Sequence, residues 1–309
     1  MAINTLEYRS ELSNELDKAL VQKSVVSGFL DNAFGAKFVG TKTVLLPDID
    51  FKGLGDYDRD TGFPEGAVTV DQKSYTLTQE RGRRFYIDRM DMDEIGVAGL
   101  AGQIMGEFVR TKVVPEVDAY CLSKLAAVAT GASQTVTGTM ENGCVKILTS
   151  AINAVQNVAG FDEELIAIVN SDFWAALMST TELTRRLDIG DFKKGEICTK
   201  VRKLDECWIM PAPVARMKTA YTFNDGTTED QEDGGFTPTS SAADIGCIVL
   251  PKRVAKLVKK LEKVRVFTPD VVQSKDAYQF DYRIYYDMLV KNSEKGAIYA
   301  YTYSAGVGG

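Results

Sequence analysis

Apolar residues near the start of the chain recur at helical spacing. Within residues 5–24, Leu12, Leu16 and Leu20 repeat every four positions and predict one apolar face of a helix. Because this helix stands far ahead of any other core element, we interpret it as an arm laid on another surface. A helix packed on its own domain is the alternative that the sequence leaves open.

Strand-like patterns replace the helical one between about Lys37 and Asp88. Residues 44–51 favour a strand, residues 53–66 are dense in Gly and Asp, and apolar residues alternate again over 68–77. Two strands around a polar tip predict a long hairpin. A hairpin with so little apolar material is marginal by itself, so we expect it to gain order by lying on a neighbouring copy of the chain.

The longest helical pattern follows this hairpin. Asp93 and Glu94 suit a helix start, and apolar residues keep helical spacing from Val97 to Val128. Pro115 is expected to break or kink the helix, because proline lacks an N–H and its ring clashes with the preceding turn. The pattern therefore predicts a long helix with one interruption.

Strands and helices alternate over residues 143–255, which predicts an α/β lobe. A helix is predicted around Val145–Val155, and a second, short helix through Trp174 and Leu177 is capped by the segment Asn170-Ser171-Asp172. The predicted strands lie at 165–169, 207–210 and 246–250. Residues 224–244 are predicted to form an acidic, polar loop.

The last part of the chain is rich in strand-forming residues, over 263–267, 278–286 and 297–303. A basic run from Lys252 to Arg265 is interpreted as a solvated face that spans a strand edge and a short helix. A surface that touches DNA is the less favoured interpretation of this run.

Composition narrows the classes of protein that fit. The 309 residues are 45% hydrophobic and 26% charged, which is typical of a soluble globular protein. No segment approaches the roughly 20 apolar residues of a membrane helix, and the N-terminus lacks a signal-peptide pattern, so we expect no membrane partner and synthesis in a cytoplasm. The net charge of −7 argues against attraction of nucleic acid, so any DNA is expected to be enclosed rather than bound.

The sequence contains no histidine and five widely spaced cysteines. Without histidine, the Ser-His-Asp and Cys-His mechanisms and the His-ligated metal sites are excluded. The cysteines form no Cys-x-x-Cys pair, which argues against a disulfide framework and a structural zinc site. Mechanisms based on carboxylate, lysine or tyrosine remain open, but we expect no catalytic residue, no cofactor and no metal.

Charged residues of the predicted hairpin are candidates for contacts between copies. The tip begins like a calcium loop at Asp56, but its glycine, Gly62, comes one position late, and Ala67 stands where a glutamate is required. The acidic tip and a basic cluster, which we place on the returning limb of the same hairpin, predict complementary contacts. The inter-subunit candidates are Asp56, Asp58, Arg59, Arg81, Arg83 and Arg84.

The order of elements resembles the major capsid proteins of tailed bacteriophages with the Hong Kong 97-type fold, and especially those of phages of Gram-positive hosts. The segments that carry the resemblance are 53–59, 79–83, 111–120, 168–170, 267–269 and 282–287. The resemblance implies an α+β fold with an N-terminal arm (1–35), an extended β-hairpin loop (36–90), a peripheral domain with a long spine helix (91–130 and 251–309) and an α/β axial domain (131–250).

The function implied by this resemblance is structural. Hexamers and pentamers of the chain would form an icosahedral head that encloses double-stranded DNA, in a virion assembled in the cytoplasm of a host bacterium. A separate scaffolding protein, a portal and a decoration protein are the further partners that it implies. A nanocompartment shell of the encapsulin type is the alternative with the same fold, and a carboxylate- or lysine-based enzyme is a more distant one.

Overall fold

The computed structural model describes residues 24–26, 31–32, 37–40, 42–60, 62–63, 65–66, 68–90, 97–139, 143–180, 187–194, 197–204 and 207–303. The predicted N-terminal helix and the start of the long helix at Asp93 and Glu94 lie outside the described residues. Described strands outnumber described helices, and the mixture is the α+β class predicted from the sequence.

The described residues form sixteen strands and four α-helices. The strands are β1 Asp31–Asn32, β2 Lys37–Val39, β3 Thr43–Phe51, β4 Val68–Thr76, β5 Gln79–Asp88, β6 Thr135–Gly138, β7 Leu165–Asn170, β8 Leu187–Lys194, β9 Ile197–Leu204, β10 Cys207–Ala212, β11 Tyr221–Phe223, β12 Phe236–Pro238, β13 Asp244–Pro251, β14 Ala255–Phe267, β15 Ala277–Val290 and β16 Tyr299–Tyr303. The α-helices are α1 Val97–Phe108, α2 Val114–Gly131, α3 Cys144–Ala159 and α4 Ser171–Ser179, and the 3₁₀ turns are Val214–Arg216 and Asn292–Ala297.

The long helix is interrupted by a π-helical segment rather than by a break. This segment, Val109–Val113, joins α1 to α2. The N–H of Val114 donates to the carbonyl of Val109, five residues back, and Pro115 occupies the first turn of α2. A π turn changes the hydrogen-bond spacing just where proline cannot donate, so the helix continues past Pro115.

The helix α2 lies between the two largest sheets. It contacts β15 of a four-stranded sheet, with order β1-β14-β15-β5, and β13 and β16 of a seven-stranded sheet, with order β6-β16-β13-β7-β10-β9-β8. Its buried residues Val117, Cys121, Leu122, Leu125 and Ala129 follow the spacing of an apolar helical face. Both sheets contribute to this one core, through Ile168 and Ile248 of the larger sheet and Phe280 and Tyr286 of the smaller sheet, among others.

The centre of the seven-stranded sheet is covered on both faces. Side chains alternate along β7, so Ile166 and Ile168 enter the core around α2, whereas Leu165 and Ala167 enter a second core with α3 and α4. The predicted strands at 165–169, 207–210 and 246–250 are confirmed as β7, β10 and β13. A strand buried on both faces carries continuous apolar residues, and for this reason β7 and β13 could be predicted.

Asn170 caps α4 as predicted. The side-chain oxygen of Asn170 accepts a hydrogen bond of 2.7 Å from the N–H of Phe173. Its amide nitrogen donates to the carbonyl of Ile245 and to the hydroxyl of Tyr303, each at 2.8 Å. One buried side chain therefore joins the start of α4 to two neighbouring strands.

The predicted hairpin is confirmed by the antiparallel pairing of β3 with β4, in register from Thr43 opposite Thr76 to Phe51 opposite Val68. The placement of the basic cluster was wrong. Arg81, Arg83 and Arg84 lie on β5, which pairs with β15 in the four-stranded sheet and not with the hairpin. The chain changes sheet at Leu77 and Thr78, between β4 and β5.

Two further predictions are corrected. The basic run from Lys252 to Arg265 contains no short helix: the long strand β14 pairs with β15, with a bulge between Lys259 and Leu261. Pairing along β15 overrides the helical tendency of the Lys- and Leu-rich sequence. The predicted loop 224–244 contains β12, which pairs with β11, and Phe236 packs edge-on against Tyr221 with ring centroids 5.3 Å apart.

Candidate functional site

The tip of the hairpin is a tight turn that presents charged side chains to solvent. Asp56, Asp58 and Arg59 are all exposed. The backbones of Asp58 and Gly62 exchange hydrogen bonds of 2.9 and 3.2 Å, and a carboxylate oxygen of Asp58 accepts from the N–H of Asp60 at 2.7 Å. Gly62 has a φ of +87°, a conformation that suits glycine. The predicted contact candidates at the tip are therefore held outward by a defined turn.

The tip also carries exposed apolar side chains that sequence analysis missed. Leu54 is fully exposed, Phe63 is 86% exposed and Tyr57 is 59% exposed. The rings of Tyr57 and Phe63 meet edge to face, with centroids 4.8 Å apart. Bulky apolar residues within a tract of Gly and Asp were the signal that could have indicated them. A cluster of this kind on a projecting hairpin is typical of a surface that a partner covers.

The base of the hairpin is fixed to the four-stranded sheet by a small apolar core. Val44 and Leu46 of β3 and Leu77 pack with Tyr285 and Leu289 of β15. The hydroxyl of Tyr285 also donates to the carbonyl of Leu77 at 3.1 Å. Beyond this base the strands leave the body of the protein, and Val68 and Val70 of β4 are 58% and 67% exposed.

A buried carboxylate joins the hairpin base to the long helix. Asp287 of β15 is fully buried. It accepts hydrogen bonds from the N–H and the hydroxyl of Thr78, both at 3.1 Å, and from the hydroxyl of Tyr120 at 2.8 Å, and it pairs with Lys124. Burial raises the pKa of Tyr120, so this hydroxyl stays protonated and can donate. The network sets the position at which the chain leaves β4 for β5.

The three arginines of β5 have partners within their own chain. Arg81 pairs with Glu116 of α2 at 2.6 Å and donates to the carbonyl of Gly235 at 3.3 Å, and Arg83 donates to the carbonyl of Glu232 at 2.9 Å. Arg84 pairs with Asp281 of β15 at 2.7 Å. Two of these arginines thereby hold the acidic loop that precedes β12 against β5. Whether they also contact another copy stays a prediction.

A groove of about 920 Å³ lies beside these arginines. Its walls are β5, the π-helical segment and the loop that precedes β12, and apolar side chains, including Phe85, Phe108 and Tyr282, contribute to its lining. The ring of Phe108 packs edge-on against Phe85 and Tyr282, at 4.8 and 5.7 Å between centroids.

A second buried carboxylate holds the short described segment 24–26 against α2. Asp118 accepts hydrogen bonds from the hydroxyl of Ser24 at 2.5 Å and from the N–H groups of Val25 and Val26 at 3.1 and 3.2 Å. Arg216 pairs with it at 3.0 Å. Burial raises the pKa of Asp118, and these donors, with the charge of Arg216, act in the opposite direction. Residues 24–26 of the predicted arm (1–35) are therefore anchored to α2.

The cysteines and acidic residues of the described part of the chain form no catalytic arrangement that we can name. Cys121, Cys144, Cys207 and Cys247 are buried, and burial raises the pKa of Cys247 to about 12, so its thiol stays protonated. Among the described residues, no three Cys, Asp or Glu side chains are grouped as metal ligands would be. No described helix is long and apolar enough to cross a membrane.

The fold matches solved structures of phage capsids and of a virus-like particle, although no protein-family model and no curated protein matches the sequence. The capsid structure of the cyanophage P-SCSP1u aligns with a TM-score of 0.62 at 11% identity, over 92% of this chain and 89% of that chain. A virus-like particle from Pyrococcus furiosus aligns with a TM-score of 0.56 at 12% identity, over 96% and 99% of the two chains. The mature capsid of bacteriophage PhiM1 aligns with a TM-score of 0.54 at 10% identity, over 86% and 83%.

Identities this low show a shared fold and not a shared activity. The fold is that of a viral shell subunit, the Hong Kong 97-type capsid fold, as the resemblance implied.

Proposed function

We propose that this protein is a structural subunit of a closed icosahedral shell. The observation that carries the proposal is the match to shell proteins over nearly the whole chain, 96% in one case and 92% in another. The projecting hairpin supports it independently, because Leu54 and Phe63 expose apolar surface that nothing in the same chain covers. A second copy of the chain is the partner that a homo-oligomeric shell supplies.

The shell that we propose is the head of a tailed bacteriophage, built from hexamers and pentamers around double-stranded DNA. The net charge of −7 supports enclosure of DNA rather than tight binding to it. The proposed partners are further copies of the chain, a scaffolding protein, a portal and a decoration protein. Assembly would take place in the cytoplasm of the host bacterium, and the finished protein would reside in the virion.

The proposed domains of the shell subunit are those predicted from the sequence. Residues 1–35 form the arm, 36–90 the extended loop, 91–130 with 251–309 the peripheral domain, and 131–250 the axial domain. The strand β16 belongs to the segment 251–309, but it pairs with β13 in the seven-stranded sheet. The axial domain would meet its copies around the symmetry axes of the capsomers.

The proposed contacts between copies begin at the hairpin tip. Asp56, Asp58 and Arg59 are exposed there beside Leu54 and Phe63, so charged and apolar contacts can form together. Arg81, Arg83 and Arg84 remain proposed contacts, although each also has a partner within its own chain.

A bacterial nanocompartment shell of the encapsulin type is the second candidate. One observation favours it specifically: the particle that matches over 96% of this chain is described as virus-like and comes from Pyrococcus furiosus, whereas the cyanophage P-SCSP1u and PhiM1 matches are phage capsids. The two candidates differ in the content of the particle, which is DNA in a phage head and protein cargo in a nanocompartment.

The test is assembly of the purified full chain. We expect closed particles, tubes or free capsomers by size-exclusion chromatography and negative-stain electron microscopy, either for the protein alone or after addition of a scaffolding protein from a neighbouring gene. Nuclease-protected DNA in particles from infected or induced cells supports the phage head, and co-purified protein cargo supports the nanocompartment. A monomer or dimer under every condition contradicts both.

A further inference from the structure

The groove beside β5 follows a free edge of the four-stranded sheet. Within the described residues, β5 ends the strand order β1-β14-β15-β5 and pairs only with β15. An edge strand points alternate N–H and C=O groups away from its sheet, where a further strand can pair with them. The backbone of β5 therefore offers a row of hydrogen-bonding positions that β15 does not use.

The groove reaches the backbone of β5 and not only the side chains of one face. Arg83 and Phe85 face α2, because they lie opposite Tyr282 and Phe280 of the core around that helix. Gly82 is the neighbour of Arg83 and has no side chain, yet it also lines the groove. The contact at Gly82 is therefore a contact with the strand itself.

One wall of the groove offers apolar surface. Phe85 of β5 and Phe108 of α1 both line it, and both rings are only partly buried. Their edge-on packing fixes the two rings relative to each other. A large apolar side chain from a bound molecule can cover this surface.

The groove also contains a buried hydroxyl without a partner. Tyr286 of β15 contributes to the lining, although only 1% of its surface is exposed. Its hydroxyl has no hydrogen-bond partner among the described residues, whereas the hydroxyls of Tyr282 and Tyr285 on the same strand are both paired. Buried polar groups in native proteins are nearly always paired, so a polar atom of a bound molecule would complete this site.

The charges left on the groove walls favour an acidic occupant. Arg83, Lys112 and Asp233 line the groove and have no ion-pair partner in the part of the chain that the structure describes. The other lining carboxylates have partners, in the pairs Glu80 with Arg283, Glu116 with Arg81 and Asp225 with Thr228. Two cations and one carboxylate are therefore left, and the remaining charge is positive.

We infer that this groove receives an extended, acidic segment of another protein, which pairs with the free edge of β5 as a further strand. An apolar side chain of that segment covers Phe85 and Phe108, and its acidic side chains lie near Arg83 and Lys112. Main-chain pairing supplies affinity in this mode of recognition, and the side chains supply specificity. The inference goes beyond the shell function and does not depend on it, because an unassembled chain presents the same groove.

Residues 1–23 of the same chain are the rival occupant, since Ser24 is held on α2 beside Asp118, two positions from Glu116 of the groove. The sequence predicts a helix over most of that segment. The backbone groups of a helix are bonded within the helix, so a helix cannot pair with the edge of β5.

Selection from a display library of random peptides, each as long as the 10-residue β5, tests the inference with the full-length chain as bait. We expect the selected peptides to be acidic and to share one central aromatic or large aliphatic residue. Synthetic copies with N-methyl groups on alternate backbone nitrogens should bind about tenfold more weakly, because these nitrogens can no longer donate to β5. Failure to select any peptide, or equal binding of the N-methylated copies, overturns the inference.

Two variants locate the binding site by fluorescence anisotropy of a labelled selected peptide. Lys112→Glu should weaken binding about fivefold at low salt, and Lys146→Glu, the same change at an exposed site on α3, should not. Tyr286→Phe should weaken binding about fivefold, yet it should leave the melting temperature within about 2 °C, because the hydroxyl has no partner to lose. Binding that neither Lys112→Glu nor Tyr286→Phe changes overturns the inference.

Amide hydrogen exchange of the full-length chain identifies the strand that the peptide covers. In the free protein, alternate amides of β5 should exchange faster than those of β15, and the selected peptide should slow them about tenfold. The opposite edge of the same sheet, where β1 pairs with β14, is the internal control and should not change. Protection that appears only outside β5, or β5 amides already as slow as those of β15 without peptide, overturns the inference, because the second result means that residues of the same chain occupy the edge.

Discussion

Single buried polar side chains hold distant parts of this protein together. The side chain of Asn170 forms hydrogen bonds with α4, β13 and β16. The side chain of Asp287 forms hydrogen bonds with the hairpin base and with α2. The helix cap at Asn170 was predicted from the sequence, because a cap depends on residues next to it. The partners in β13 and β16 were not predicted, because they lie 75 and 133 positions further along the chain.

The substitution Asn170→Ala should destabilise the fold. It removes the helix cap and leaves the carbonyl of Ile245 and the hydroxyl of Tyr303 without the amide that donates to both, for a combined loss of about 2–4 kcal/mol. Urea unfolding measures the loss. Ser171→Ala, at the exposed next position, is the control and should change the free energy of unfolding by less than about 0.5 kcal/mol. Equal stability of the two variants would contradict the assignment.

The ion pair of Asp48 and Lys73 across the hairpin should depend on pH. Its hydrogen bond with Lys73, 2.6 Å long, lowers the pKa of Asp48 below the ordinary value of 3.8, and Asp48 raises the pKa of Lys73. At pH values above 3.8 the ionised carboxylate of Asp48 therefore stabilises the folded state. This stabilisation is lost as the pH falls through the lowered pKa of Asp48.

Side-chain ¹³C titration should place the pKa of Asp48 below 3.8, and Lys73→Met should move it upward. Lys52→Met removes another exposed cation of the hairpin and is the control, with no comparable movement expected. An Asp48 pKa that stays the same after Lys73→Met would show that the ion pair does not form in solution.

Whole elements were predictable where burial repeats with the period of the element. The strands β7 and β13 are continuous apolar runs, and α2 keeps a helical apolar face. The edge hairpin of β8 and β9 was missed, because segments such as Leu187–Lys194 mix charged, glycine and apolar residues without alternation. The strand β14 was taken in part for a helix, because its lysines hide the alternation that pairing with β15 imposes.

Gly82 allows β5 to lie close to β15. A Cβ at this position would come within 2.8 Å of the carbonyl oxygen of Tyr282. Gly82→Ala should therefore displace β5 and cost about 1–3 kcal/mol of folding free energy, measured by chemical denaturation. Gly53→Ala places a methyl group in open space and should be nearly neutral. A neutral Gly82→Ala variant would mean that the two strands separate easily.

The molecule as a whole pairs a well-packed body with a surface that needs a partner. The body could be predicted from the sequence because its apolar residues pack against one another within the chain. The contact surface could not, because it is recognised only by apolar side chains that the fold leaves uncovered. The arginines of β5 illustrate the limit: their charge was plain in the sequence, but Glu116 of α2 and the carbonyls of Glu232 and Gly235 could be found only in the fold.

The apolar tip should govern association without governing stability. Leu54→Ser with Phe63→Ser should leave the melting temperature of the unassembled protein unchanged within about 2 °C, because both side chains are already in solvent. Particle yield, measured by sedimentation, should fall at least about tenfold. Val271→Ser, at a residue 61% exposed elsewhere on the surface, is the control. A parallel loss of stability and yield would place the tip in the folded core instead.

The position of α2 between the two largest sheets has a thermodynamic consequence. Residues of both sheets bury their side chains against the same helix. Unfolding of either sheet would therefore expose apolar side chains of α2 and of the other sheet to water. The chain should therefore melt in a single calorimetric transition whose van't Hoff enthalpy equals the measured heat, although it is long enough for two separate domains.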